Sequence, residues 1–258
     1  MSKKRKLGEK RKKKTHVEPA NWDVYVATPA YDGKVDCDYS QSLAEASFCS
    51  PLYQVKMTAG VMGNGAFIDL ARNIFVKIFL DDFPDATHLF FIDADLKFPP
   101  NAFIGLIRSG LPICAGVYRR RQEPEDYPVR WTEHPEQGGL WVEDEWLMCD
   151  RVPTGFLCIS REVVEEMAKD ARQLNIHGQD GPVPELFYTT VDEEGRFIGE
   201  DYCFCDDYRK KYDKPIPVWP NIDFIHGGFK GNLNDYLEKL IDAEAKKSKE
   251  AETDTSAA

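Results

Sequence analysis

Asp93 and Asp95 stand one residue apart, directly after the apolar run Leu89-Phe90-Phe91-Ile92. Such a run spells a buried strand, and the carboxyl ends of strands are where open α/β sheets hold ligands. Carboxylates at this spacing suit a hard cation, Mg²⁺ or Mn²⁺, that shares its shell with phosphate oxygens and water. In a regular strand the two would share a face, whereas a turn at the strand end aims both at one ion. An Asp-x-Asp pair alone equally describes a solvated loop, and the buried run in front of it favours a site.

Four other groups have residue types suited to chemistry. Gly199-Glu200-Asp201 opens an amphipathic segment, where acids ordinarily complement a helix N-terminus; alternatively Asp201 or Glu200 serves as the base that takes a proton from a hydroxyl. His226 ends the apolar stretch Ile222-Asp223-Phe224-Ile225 before Gly227-Gly228, as the Asp pair ends its own strand, and an imidazole there could complete a carboxylate and diphosphate shell. The other histidines, at 16, 88, 134 and 177, have no such setting. Arg119, Arg120 and Arg121 follow a strand ending at Tyr118; they read as a phosphate fork or as a solvated charge run. Thr154-Gly155-Phe156 puts a glycine where backbone can approach a sugar or acceptor closely, or simply makes a turn.

The elements that must position these groups alternate. Residues 23–29 read as a first strand broken by Pro29 and Gly33, residues 40–55 as a helix returning as a short strand, and 66–80 as a helix ending before Pro84. Strand 89–92, a helix over 100–109 and a strand over 112–118 follow. The alternation predicts an α/β fold with a mainly parallel sheet covered on both faces. From about residue 128, Trp131, Gly138-Gly139 and Trp146 mark short antiparallel strands, and helices return at 161–174 and 200–212. Residues 244–258 are polar and read as a disordered tail.

The 258 residues, 42% hydrophobic, suffice for one core. The net charge of −11 conceals a division, because residues 1–14 carry nine Lys or Arg against one acid. The remainder holds 24 basic and 43 acidic side chains, a net of −19. A polyanion would therefore be held by the basic arm or by a local patch, and residues 3–14 are the candidate nucleic-acid contact. The arm, residues 1–20, equally reads as a disordered solubilising segment. No run of about 18 apolar residues predicts a membrane span. Seven scattered cysteines without a Cys-x-x-Cys pair favour a reduced, cytoplasmic protein over a disulfide framework or zinc site.

In their order along residues 21–230, these residues resemble the glycosyltransferases of the GT-A fold. The set comprises Thr28-Pro29, Ala71-Arg72-Asn73, Thr87 through Asp95, Ala115-Gly116-Val117-Tyr118, Thr154-Gly155-Phe156, Gly199-Glu200-Asp201 and His226. No single motif is specific; the ordered set is. The chain looks most like compact members encoded by bacteriophages and large viruses, which implies a domain over residues 21–243 acting in the cytoplasm, the host's if viral. The resemblance implies transfer of a sugar from a UDP- or GDP-sugar, with Mn²⁺ or Mg²⁺ held by Asp95, His226 and Asp93, the last also approaching the ribose or sugar. Thr28 and Pro29 would line the nucleoside pocket, with Arg72 and Arg119 as further donor-binding residues. Asp201 would be the base in the inverting pattern, with Glu200 beside it; a retaining pattern with a similar acidic helix and a late histidine leaves the stereochemistry open. The acceptor is a glycan, a protein or a hydroxymethylated DNA base, the last requiring the base to be exposed or flipped.

Other classes fit less well. Leu96-Lys97 stands where a haloacid-dehalogenase phosphatase has Gly-Thr, and no P-loop run is present. A sugar-nucleotide pyrophosphorylase would have a glycine-rich basic loop where this chain has Pro29-Ala30-Tyr31-Asp32-Gly33. A degenerate GT-A module that only binds sugars would have lost an acid at 95 or 201, and both acids are intact.

Overall fold

The computed structural model describes residues 22–63 and 67–256; the basic arm, with its candidate nucleic-acid contact, lies outside the described residues. Strand β1 (Trp22–Ala30) is built of β-branched and aromatic residues that suit a buried pleat. Helix α1 (Cys37–Cys49) and a 3₁₀ turn (Ser50–Tyr53) lead to β2 (Val55–Gly63). The return strand is thus longer than the sequence suggests. It pairs with β1 along its whole length, from Trp22 opposite Val55 to Ala30 opposite Gly63, and as a sheet edge it alternates in exposure instead of showing an apolar run.

Helix α2 (Ile68–Asp82) precedes β3 (His88–Ile92), the two-residue β4 (Leu96–Lys97), α3 (Pro100–Arg108) and β5 (Ile113–Ala115). The strand expected to reach Tyr118 stops early. A Cβ on Gly116 would lie 2.7 to 3.0 Å from atoms of Phe224, Phe156 and Ile222, so the chain runs tightly against these side chains as it leaves the ladder. Short strands β6 (Arg130–Trp131), β7 (Val142–Glu143) and β8 (Trp146–Arg151) follow, then β9 (Phe156–Ser160) and α4 (Arg161–Asp170). Helix α4 ends before Leu174 because residues 173–174 form β10 (Gln173–Leu174) against β11 (Val183–Pro184). A hairpin, β12 (Thr190–Val191) with β13 (Phe197–Ile198), leads into α5 (Glu200–Tyr212). The chain closes with β14 (Ile216–Val218), β15 (Phe224–His226), β16 (Phe229–Gly231) and α6 (Leu233–Ser256). The stretch read as a tail from 244 instead continues α6 to Ser256; it is rich in Ala, Glu and Lys, which are good helix formers.

The main sheet has the order β2-β1-β3-β9-β5-β14-β8-β6, with β7 on β8. Strands β2, β1, β3, β5 and β14 share one direction, while β9 and β8 run against them. This is the Rossmann-like, mainly parallel α/β sheet expected, consistent with a GT-A fold. Strand β3 alternates between the two faces: Leu89 and Phe91 pack with Phe75 and Phe79 of α2, Phe90 and Ile92 with Tyr39 of α1 and Phe103 of α3. Each such buried side chain contributes about 1.5–3 kcal/mol. A small antiparallel sheet, β16-β15-β4, stands beside the end of β3. Among the described residues no helix is long and apolar enough to cross a membrane.

Candidate functional site

The chain turns immediately after β3, with the Leu96 N–H donating to the Asp93 carbonyl at 3.3 Å. The turn separates the two carboxylates. Asp93 points inward, accepting from Tyr118 Oη at 2.6 Å on Oδ2 and from Arg72 Nη2 at 3.3 Å on Oδ1. Asp95 points outward, where its Oδ2 lies 2.7 Å from Arg121 Nη1 and 3.5 Å from His226 Nε2.

His226 arrives there through the small sheet, in which it pairs directly with Leu96, the residue after Asp95. Its Nδ1 donates to the Arg119 carbonyl at 2.9 Å, and Tyr118 packs edge-on against the ring at 4.6 Å. With Nδ1 so engaged, Nε2 is the atom facing Asp95. The hydrogen bond to His226, reinforced by the charges of His226 and Arg121, holds the Asp95 carboxyl below its usual range despite partial burial. Burial alone would lower His226, but its bonds to Asp95 and the Arg119 carbonyl outweigh this and raise it.

Arg72 is the hub of the inner half. Only 2% exposed on α2, it reaches Glu200 Oε1 at 2.5 Å, Asp201 Oδ1 at 2.7 Å and Asp93 Oδ1 at 3.3 Å. Burial opposes its charge, and the three carboxylates more than compensate, raising its pKa. The first turn of α5, which carries Glu200 and Asp201, is thereby joined to the end of β3. The neighbouring Asn73 holds the chain on the approach to α5: its amide donates to the Phe187 carbonyl and accepts from the Leu186 and Phe187 N–H groups. Thr154 Oγ1 also donates to Asp201 Oδ1. Burial, then the charges of Glu200 and Asp93, push the Asp201 carboxyl up to about 6 against the opposing pull of Arg72 and Thr154. Gly155 lies against this cluster, since a Cβ there would stand 2.0 Å from both Asp93 Oδ2 and Tyr118 Oη.

A cavity of about 720 Å³ opens at the ends of β1 and β3. One wall is the end of β1 with the loop that follows it, from Pro29 to Asp36, which is tied to the Asp-x-Asp turn by the Asp36 N–H donating to the Ala94 carbonyl at 2.9 Å. The other holds Asp93, Ala94, Asp95, Arg121 and His226. Pro29 lines it as expected. Thr28 does not: it is fully buried, its hydroxyl 2.5 Å from that of Tyr39. Arg119 is also absent from the lining. Its guanidinium is spent on the Gln122 carbonyl at 2.6 Å and Glu123 at 3.0 Å, over the Phe229 ring, so only Arg121 of the three arginines faces the cavity.

Among the described residues no group of three or more His, Cys, Asp or Glu side chains converges as a complete metal shell. Asp95 and His226 still fit a Mg²⁺ or Mn²⁺ ion that arrives with phosphate oxygens, because such ions use few protein ligands. Arg121, more than half exposed, would have to leave Asp95 for this. Both oxygens of Asp93 are engaged, by Arg72 and Tyr118, although it lines the same cavity.

No protein-family model matches the chain, and no curated protein matches it. Solved structures similar to it include A197 from STIV, at 14% identity and TM-score 0.47 over 80% of this chain and 85% of that one. A glycosyltransferase involved in glycosylation of the major capsid of PBCV-1 matches at 10% identity and TM-score 0.29, over 55% and 62% of the two chains. The inositol-1-phosphate CTP transferase from T. maritima matches at 10% and 0.41, over 81% and 90%. All three are distant, and the functional reading rests on the site's own chemistry.

Two members of the motifs read from the sequence have roles that the sequence did not assign to them. Tyr118 reads only as the end of an apolar strand, yet it anchors Asp93 and packs on His226. Thr154 reads as the start of a turn, yet it bonds Asp201.

Proposed function

We propose that the protein transfers a sugar from a nucleoside diphosphate sugar, UDP- or GDP-linked, to a hydroxyl acceptor with the help of Mn²⁺ or Mg²⁺. The observation that carries this reading is the meeting of Asp95 and His226, delivered by two different sheets, at the rim of a cavity walled by the loop after β1. A chamber of about 720 Å³ is of the size that holds a drug-sized ligand. The segment from Pro29 to Asp36 would take the nucleoside, and the diphosphate would lie towards Asp95 and His226. When bound there, the cation supplies positive charge where negative charge builds on the departing diphosphate. Arg121 adds a flexible guanidinium on the same side and pairs with phosphate once released from Asp95.

Asp201 takes the role of base. Its elevated pKa of about 6 keeps it ionised at neutral pH and brings its basicity close to what proton transfer near neutrality requires. The acceptor O–H gives its proton to the carboxylate as the oxygen bonds to the anomeric carbon. The bond from that carbon to the diphosphate breaks, and its electron pair leaves with the diphosphate. Glu200 shares Arg72 with Asp201 and holds the guanidinium in place.

The test is a thermal-shift and hydrolysis screen of UDP- and GDP-sugars, each with Mn²⁺ and with EDTA. At about a hundred times its Kd, the correct donor should stabilise by about 2.7 kcal/mol. It should also be hydrolysed slowly, and EDTA should abolish both effects. No response to any donor would refute transfer; stabilisation without hydrolysis would leave a module that binds without catalysing.

A further inference from the structure

Asp95, the acid placed to receive a cation, already carries one within the chain. Arg121 Nη1 lies 2.7 Å from its Oδ2, the same oxygen that His226 Nε2 faces at 3.5 Å. The contact is seated against backbone. A Cβ on Gly227 would stand 2.5 Å from Arg121 Cδ and 3.3 Å from Cγ, so the arginine stem lies directly against that glycine. Gly227 has a φ of +53°, and its N–H donates to the Asp95 carbonyl at 3.2 Å, so one residue braces both partners. Neither neighbouring arginine is placed this way: Arg119 is spent on its own loop, and Arg120 Nε pairs with Asp126 at 2.9 Å.

A guanidinium and a divalent cation compete for Asp95. The repulsion between them is twice that between two unit charges at the same separation, and the bond from Arg121 takes an oxygen that a metal would use. A cation arriving alone must therefore displace Arg121 and leave its charge close by. A diphosphate changes the balance. Arg121 is 57% exposed, lines the cavity and carries a fork of donors that suits paired phosphate oxygens. Once it turns to the diphosphate, Asp95 is released, and the same phosphates bring the cation further oxygen ligands.

We propose that Arg121 makes this site selective for a cation accompanied by a nucleoside diphosphate: it holds Asp95 until the diphosphate draws it away. The proposal rests on the reading of the cavity as the donor site and adds how that site is regulated. Coupling between two ligands is reciprocal, so the cation, by releasing Arg121 from Asp95, strengthens diphosphate binding by the same factor.

Two separate titrations of the full chain test it: Mn²⁺ alone, followed by the paramagnetic resonance of the free ion, and UDP or GDP alone in EDTA, followed by calorimetry. Arg121→Met keeps the stem against Gly227 and removes the charge. It should bind Mn²⁺ about tenfold more tightly than the wild type and the nucleotide about tenfold more weakly, the loss of about one charge-assisted hydrogen bond. A merely structural role would move both affinities in one direction. Arg120→Met, an equal change of net charge one residue away, should alter neither. Unchanged affinity for Mn²⁺ or for the nucleotide in Arg121→Met, shifts in the same direction, or the same shifts in Arg120→Met would each overturn the proposal while leaving the donor reading in place. Binding of neither nucleotide by any of the three proteins would overturn both.

Discussion

Replacing Arg72 with Met removes the cation on which the inner site is balanced. The guanidinium is 2% exposed and faces Asp93, Glu200 and Asp201, whose side chains are only 17 to 28% exposed. Met preserves most of the apolar stem, so the loss is chiefly of charge. Breaking a buried ion pair from one side costs about 3–5 kcal/mol. The carboxylates keep some water, which places the expected loss at the lower end, about 3 kcal/mol. For a domain of this size that lowers Tm by roughly 6–12 °C.

The pH dependence distinguishes lost charge from lost packing. Asp201 is raised to about 6 even with Arg72 present, and losing Arg72 raises it further. A carboxyl whose folded pKa exceeds its unfolded value of about 3.9 penalises folding above the folded pKa, and the penalty disappears as pH falls towards the unfolded value. The stability deficit of Arg72→Met should therefore be full at pH 8 and shrink towards pH 5. Adding Asp201→Asn should recover part of it at pH 8, a coupling of about 1–3 kcal/mol. Urea melts of the four proteins at both pH values measure this. A deficit below about 1 kcal/mol, or one equal at pH 5 and pH 8, would refute the account of Arg72 as an electrostatic hub.

Three further substitutions probe the site. Asp95→Asn should abolish Mn²⁺-dependent stabilisation by nucleoside diphosphates; calorimetry showing undiminished metal-dependent affinity would remove Asp95 from the cation site. Asp201→Asn should leave donor affinity intact and lower turnover by about 10²–10⁴-fold, while wild-type turnover should fall on acidification through about pH 6 as Asp201 protonates; near-normal turnover in the variant would exclude it as base. Gly155→Ala should drive a methyl into Asp93 and Tyr118, costing about 1–3 kcal/mol as overpacking does and weakening donor binding; an unchanged Tm would show that the turn moves freely.

The positions that carry the site were legible wherever an apolar strand ended in a polar residue. The runs before Asp93 and His226 proved to be β3 and β15, and Glu200 opens α5 at the expected residue. Less legible were elements whose pairing depends on distant residues. Edge strand β2 has no continuous apolar run, and its pairing with β1 becomes visible only when the sheet assembles. Arg119 and Arg121 look equivalent in the sequence; one is consumed by its own loop and the other faces the cavity.

Local sequence therefore determined which residue types stand at strand ends and helix starts, because apolar periodicity and backbone propensity act over a few residues. It also determined the division between a basic arm and an acidic body. Only the tertiary structure decided how these residues are partnered. Asp93 and Asp95, adjacent but for one alanine, turn to opposite sides because Arg72 and Tyr118 hold one while His226 and Arg121 hold the other. Those partners lie from 21 to 131 residues away along the chain, and a buried charge takes its direction from whatever countercharge the completed fold puts within reach.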